Sequence, residues 1–562
     1  MNTFAIAETI KHTIPTIMKK LFFIAAVNFL LISCANKTSV DLIVHNATVY
    51  TVDSSFSFTE ALAVKDGKII ATGTSADILK NYEAKQIIDA QGKFIYPGLI
   101  DAHAHFIGYG LGLSTVNLVG TNSWEDILHL IDSAAKTMDT SSWLIGRGWD
   151  QNDWAVKEFP SKEKLDAMFP NRPVFLTRVD GHAAIANQKA LDMAAIKAGF
   201  TLTGGTVETK NGKLTGILVD NAVSLVHNKI PENSFAQVKT ALLNAQQNCF
   251  AVGLTTVDDC GLDYKAILAI DSLQKTGDLK MRIYAMLSDS KRNYEFIIPK
   301  GKIKTDRLNV RAFKVYADGA LGSRGACLLQ PYDDKPGWSG FLLSNAPHFD
   351  SVAAIIYKLG FQMCTHAIGD SGNRVILQTY ARQLKGKNDL RWRIEHAQVI
   401  NQNDFALFGE NNIIPSVQPT HATSDMYWAA DRVGKERIKG AYAFNDLLKQ
   451  NGWIPLGTDF PVEDISPFKT FYAAVVRKDA KGFPAEGFQM ENALSRQDAL
   501  RGMTIWAAKA NFEENEKGSL EKSKFADFII ADQDLMHAAP EKILKTKVLA
   551  TFINGEIVLG PK

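Results

Sequence analysis

The chain has 562 residues, 22% of them charged and 46% hydrophobic, with 62 Lys and Arg set against 60 Asp and Glu. A formal net charge of +2 over that length gives no field suited to nucleic acid. The composition also excludes a disordered chain, a collagen repeat or a small disulfide scaffold, while the length suits several domains or one large barrel with attachments.

From Met18 the sequence runs MKKLFFIAAVNFLLISCANK: two lysines, an apolar run from Leu21 to Ile32, then small residues around Cys34. This is the pattern of a secretory leader. The run falls short of the roughly 20 residues a bilayer-spanning helix needs, and Asn28 interrupts it. Leu31, Ile32, Ser33 and Cys34 resemble a bacterial lipoprotein processing site. Cleavage before Cys34 and lipidation of its thiol are therefore expected, giving an exported lipoprotein tethered to the cell envelope and facing the periplasm. A plain secretory leader with a coincidental cysteine is the alternative. Residues 1–33 read as leader, with the true start at Met18, and residues 34–40 as the lipidated linker. Cys249, Cys260, Cys327 and Cys364 show no disulfide spacing.

Residues 41–96 hold short runs rich in Val, Ile and Thr, with a hairpin signal at Asp66 and Gly67. Residues 501–562 carry a terminal helix and then similar runs, with a second hairpin signal at Asn554 and Gly555. Neither end alone covers both faces of a sheet, so the two are expected to combine as a small β-sandwich. Between them, residues 97–500 alternate apolar runs with helical stretches, the α/β pattern. Eight candidate strands end at or near His103, Asp259, Met286, Lys314, His366, His396, Gln418 and Asp459, the number that closes a (β/α)8 barrel of TIM type. The stretch from His105 to Leu254 is far longer than one strand-and-helix step, which places an inserted subdomain at about 111–250.

Histidine carries the chemical signal. His103 and His105 form a His-x-His pair, and alternate residues of a strand point the same way, so both imidazoles can reach one ion. Alone, the pair is a weak signal that fits two partly buried side chains better than a metal site. However, His366, His396 and Asp459 each close an apolar run, Lys314 lies within the fourth, and the carboxyl ends of barrel strands converge at one rim. Four nitrogen donors and one carboxylate suit zinc or a similar ion. Lys314 could instead pair with Asp318 or Asp370 beside a single metal.

The strings PGLIDAHAHF, AFKVYADGALGSRGA, CTHAIGDSGNRVI, RIEHAQVI and PLGTDFPVEDISPF, with GRGWDQNDW and RVDGHAAIAN in the insertion, resemble the amidohydrolase superfamily. The specific resemblance is to amidohydrolase family 3, in the branch of N-substituted formamide deformylase and YtcJ-like proteins, and it runs from Val40 to the C-terminus. It implies two divalent metal ions, with zinc the expected metal. His103 and His105 would hold the more buried ion, His366 and His396 the more exposed one, and Asp459 would bind metal and manage protons. Lys314 would bridge both ions after carboxylation by carbon dioxide, a reaction that a depressed lysine pKa would favour by exposing the neutral amine.

The implied activity is hydrolysis of a non-peptide carbon–nitrogen bond in a small-molecule substrate, a linear amide such as an N-acyl or N-formyl compound, with Asp459 as catalytic base and acid. His182 would meet the substrate carbonyl or its oxyanion, and Trp149, Trp154, Tyr316, Arg324 and Trp428 would shape the pocket. Glu395 is expected to face away from His396 and pair in the core, and His421 to support a ligand rather than act as one. Membrane contact through the lipid alone is expected, and self-association stays open. A mononuclear-metal deaminase and a catalytically inactive, surface-tethered binding protein are the other readings. Lys314 argues against the first and the complete ligand set against the second.

Overall fold

The computed structural model describes residues 37–139 and 142–561. The expected leader and the expected lipidation site at Cys34 lie outside the described residues. Seven strands, Leu99–Ala104, Leu254–Leu262, Arg282–Ser288, Leu308–Tyr316, Gln362–Ala367, Arg393–His396 and Ile414–Ser416, pair in parallel in that order. An eighth segment, 454–459, closes the ring: Gly457 N donates to Val417 O (3.0 Å), Ala102 N to Leu456 O (3.2 Å) and Asp459 N to His103 O (2.8 Å). All eight strand positions expected from the sequence are filled. The barrel strands read as almost continuous apolar runs because helices cover one face and packed side chains fill the other. In Arg282–Ser288, for example, every residue but the last is buried.

The long step after the first strand is occupied by a separate sheet. Its six strands are Val116–Asn117, Leu144–Trp149, Val174–Arg178, Ala183–Ala186, Gly205–Lys210 and Lys213–Asp220. Its last hairpin turns at Asn211 (φ 52°) and Gly212 (φ 73°), the left-handed pair that a two-residue turn requires. The sheet has its own apolar core of Leu118, Leu144, Trp149, Leu176, Ile185 and Ile217. The chain then returns to the barrel at Phe235–Ala251, a helix started by a Ser234–Gln237 capping box. This helix buries Leu242, Ala245, Cys249 and Phe250 in the barrel core, so the barrel resumes before residue 250.

Both chain ends share an eight-stranded sheet, in which Thr38–Tyr50 lies parallel to Tyr82–Pro97 and Phe528–Ala531 pairs antiparallel with the latter. The sheet folds over on itself, since Ile69 N donates to Lys524 O (3.0 Å) and Ser523 N to Ile69 O (2.8 Å). Leu42, Val64, Ile95, Phe528 and Phe552 meet inside it. Both expected hairpins form, at Asp66 and Gly67 and at Asn554 and Gly555, all four with positive φ. Arg282 on the third barrel strand fastens this sheet to the barrel through Asp527 (2.5 and 2.9 Å) and Asn554 (2.6 Å). No helix among the described residues is long and apolar enough to cross a membrane. Cys249, Cys260, Cys327 and Cys364 are free thiols.

Candidate functional site

The carboxyl ends of the barrel strands bring together residues scattered over more than half the chain. His103 and His105 leave the first strand on the same side, and Asp459 Oδ1 stands 3.6 Å from His103 Nε2 and 3.3 Å from His105 Nε2. The ring of His396 lies 4.8 Å from that of His103 and 4.6 Å from that of His366. Lys314 Nζ, almost fully buried, reaches within 3.2 Å of His103 Nε2. The backbone bends to allow this: His396 (φ 73°) and Asp459 (φ 63°) both adopt left-handed conformations where their strands end. Such conformations cost about 1–3 kcal/mol each and collect at functional sites.

Close packing fixes the first strand against the eighth. Gly457 leaves room where a Cβ would lie 2.6 Å from His103 N. Asp101 accepts from Thr458 N (2.9 Å), Thr458 Oγ1 (2.7 Å) and His103 N (3.2 Å). His103 Nδ1 donates to Glu395 Oε2 at 2.6 Å, both side chains being inaccessible to solvent. His105 Nδ1 bonds Cys260 O (3.1 Å). In each case one ring nitrogen is anchored, so the other is turned toward Asp459.

Electrostatics keep His103, His366 and His396 unprotonated. Burial lowers His103 to about 4, and it holds His366 and His396 well below the ordinary histidine value, with cationic or histidine neighbours adding to the effect. Burial alone would raise Asp459, but the neighbouring His105 and His421 hold it well below the usual carboxylate range. Lys314 departs from the sequence expectation. Burial pulls its pKa down, yet Cys260, Tyr316, Glu395 and Asp459 outweigh burial and the net direction is upward. Nor does it pair with Asp318 or Asp370. Asp318 accepts from the backbone N–H groups of Cys327, Ile368 and Gly369, and Asp370 from that of Leu329.

The donor set fits a divalent cation. Asp459 Oδ1 and His396 Nδ1 are buried without hydrogen-bond partners, a costly state that a cation would relieve. His103, His105 and Asp459 present ligand atoms within 4.8 Å of one another. His396, His421 and Asp459 meet the same distance test. His421, however, spends Nε2 on Asp459 Oδ2 (3.1 Å) and Nδ1 on Glu463 Oε1 (3.0 Å). Burial would lower its pKa, but these two carboxylates raise it well above the ordinary value, which makes His421 a donor to Asp459 rather than a ligand.

A cavity of about 900 Å³ opens above these groups, lined among others by His182, Tyr316 and Trp428. His182 comes from the insertion; its Nδ1 bonds Asp220 Oδ1 (2.7 Å) and its ring lies 4.9 Å from that of His366. Tyr316 sits 5.5 Å from His366, ring to ring. Three expected pocket residues lie elsewhere. Trp149 and Trp154 belong to the insertion core, their ring N–H groups bound to Leu176 O (2.9 Å) and Thr121 O (3.1 Å). Strand alternation would put Trp149 beside Arg147, but the ladder shifts register between these two residues, at Gly148 (φ 114°), and turns the indole inward. Arg324 is held away by Asp334 (2.8 and 3.1 Å). The sequence reading also missed what Glu395 does. It pairs in the buried interior as expected, but its partner is the candidate ligand His103, which the ring of His396 also approaches (4.8 Å), across a separation in sequence that no local pattern marks.

Known proteins resemble this chain over most of its length. The model of the amidohydrolase family matches residues 86–559. Protein LONG AFTER FAR-RED 3 of Arabidopsis thaliana is 32% identical over 92% of this chain and 91% of its own length. N-substituted formamide deformylase of Arthrobacter pascens is 26% identical over 92% and 97% respectively. Among solved structures, an uncharacterized metal-dependent hydrolase from Pyrococcus horikoshii superposes with a TM-score of 0.73 at 28% identity, covering 89% of this chain and 99% of that one. With a family model spanning most of its length and the barrel-rim histidines gathered as described, the chain belongs to the amidohydrolase family.

Proposed function

We propose that this metal-dependent hydrolase of carbon–nitrogen bonds acts on a linear amide of the N-acyl or N-formyl kind, releasing an acid and an amine. The observation that carries the reading is Asp459 Oδ1, buried, ionised and without a hydrogen-bond partner between two histidines whose other nitrogens are anchored. The activity named for the Arthrobacter pascens relative supports the amide class.

His103, His105 and Asp459 would hold one divalent ion, zinc by expectation, and His366 and His396 a second, with a carboxylated Lys314 between them. When bound, such ions lower the pKa of a water molecule and polarise a carbonyl. His421 fixes Asp459 Oδ2, so the carboxylate presents Oδ1 to the cavity floor. Asp459 takes the proton of the attacking water and returns it to the leaving nitrogen; its low proton affinity favours the return. His182, steadied by Asp220, points its other N–H at the carbonyl oxygen, where negative charge develops. Export and lipid attachment at Cys34 belong to the same proposal. A mature N-terminus carrying diacylglycerol supports them, and a chain that retains residues 1–33 in the cell opposes them.

The test is to load the purified protein with zinc and screen N-formyl and N-acyl amines alongside amino-heterocycles. Amide turnover that falls about 100- to 10,000-fold in Asp459→Asn, with metal retained, supports the reading. Turnover confined to amino-heterocycles and insensitive to Lys314→Ala identifies a deaminase. No turnover in either class refutes the catalytic role.

A further inference from the structure

Among the described residues, the insertion holds over the cavity a cation, Arg147, that no side-chain carboxylate contacts. Arg147, on the strand Leu144–Trp149, lines the same space as His105, His182, His366 and Asp459. Among the described residues its guanidinium makes one hydrogen bond, from Nη2 to Val179 O at 2.9 Å, and its Nε is buried with no partner. Nearby Arg178 shows the contrast: it is fully buried and holds Asp150, Asp180 and Gln151 at once. The acid nearest Arg147 in the loop, Asp180, is thereby consumed, since its second oxygen accepts from His182 N (2.9 Å). Burial lowers the Arg147 pKa, and the opposing pull of Asp180 and Asp459 does not offset it. An arginine nonetheless stays protonated, and its planar fork of N–H groups matches a carboxylate.

Its position relative to the chemistry is equally defined. The Cβ position of Gly181 lies 3.5 Å from Arg147 Nη1, and the ring of the next residue, His182, lies 4.9 Å from that of His366. Arg147 and the barrel-rim histidines therefore line one cavity of about 900 Å³, a space that holds a small molecule. We propose that Arg147 binds a free carboxylate of the substrate, so that the preferred substrates are acid-bearing amides rather than neutral ones. The proposal rests on the amide-hydrolase reading and narrows it to a substrate class.

Two matched pairs of probes test it on the zinc-loaded, full-length protein. N-formylleucine is compared with N-formyl-3-methylbutylamine, which lacks only the carboxylate on the amine side; N-succinylbutylamine is compared with N-pentanoylbutylamine, which lacks it on the acyl side. In at least one pair the acid is expected to lead in kcat/KM by about 10- to 100-fold, the range for a charge-assisted hydrogen bond. Arg147→Met should collapse that ratio and Arg147→Lys should keep part of it, while zinc content shows that the rim remains assembled. Titration calorimetry in the Asp459→Asn background gives a second readout, in which the acid binds more tightly than its neutral partner. Neutral amides turned over as well as the acids in both pairs, or a preference that survives in Arg147→Met, would overturn the proposal while leaving the amide reading intact. Failure to hydrolyse any amide would overturn both.

Discussion

Replacing Glu395 by Gln tests whether the barrel-rim histidines form a tuned metal site. His103 Nδ1 and Glu395 Oε2 are 2.6 Å apart and wholly buried. Burial would raise the glutamate, but His103 and Arg393 overcome it and hold it at about 2, while burial keeps His103 at about 4. At neutral pH an ionised carboxylate therefore receives Nδ1–H of a neutral imidazole, leaving the Nε2 lone pair free for metal. Glutamine keeps the shape and an accepting oxygen but removes the charge. Hydrogen bonds to charged groups contribute about 1.5–3 kcal/mol and neutral ones about 0.5–1.5, so the substitution should cost roughly 1–1.5 kcal/mol of zinc binding, or about tenfold in affinity. That agrees with the 10- to 100-fold range for groups that orient metal-bound histidines. Competition against a chromophoric chelator measures it directly. An affinity within about twofold of the parent protein would refute the reasoning, because a ligand held this way should feel the loss.

Three further outcomes follow from the geometry. Trp149→Ala should lower unfolding free energy in denaturant by about 3–5 kcal/mol with KM unaltered, since the indole fills the insertion core; a raised KM at full stability would return it to the pocket. Gly457→Ala puts a methyl 2.6 Å from His103 N and 2.8 Å from His103 Cβ. It should cost about 1–3 kcal/mol and weaken zinc retention on dialysis, whereas unchanged zinc retention would show that the two strands can separate freely. On the acid side, burial would raise Glu513, but Lys517 (2.7 Å) and Lys304 (2.5 Å) hold it at about 2. A depressed carboxylate stabilises the fold above its unfolded pKa of about 4.5 and loses that contribution as pH falls toward 2, a swing of about 3 kcal/mol. Glu513→Gln should flatten this limb in pH-dependent denaturant titrations, and an unchanged slope would assign acid sensitivity to other groups.

The barrel strands are legible in the sequence because burial on both sides writes an uninterrupted apolar run, and because four of the eight runs end at or beside a residue that apolar packing does not call for: His103, His366, His396 and Asp459. The insertion could be placed but not drawn. Its six strands are short, and one of them depends on a register shift at Gly148 that reverses which side chains face inward. That single displacement moved Trp149 out of the cavity and left Arg147 in it. Arg324 was misplaced for a different reason, since its partner Asp334 is fixed by a loop whose path no periodicity records. The pairing of His103 with Glu395, and of His421 with Asp459 and Glu463, joins segments far apart in the chain and becomes visible only when the barrel is closed.

The folded-over sheet that unites the two termini also sets an order of assembly during synthesis. Its central strand, Tyr82–Pro97, has left the ribosome long before Phe528–Ala531 exists to pair with it, and Arg282 must wait equally for Asp527. Asn511, which helps Arg393 hold Asp258 beneath the rim, also arrives late. A nascent chain therefore carries its histidines for most of translation without the architecture that aligns them. A product clipped a few dozen residues early would carry every candidate ligand from His103 to Asp459, yet lack Asp527 and the strand Phe528–Ala531 that brace the barrel from below.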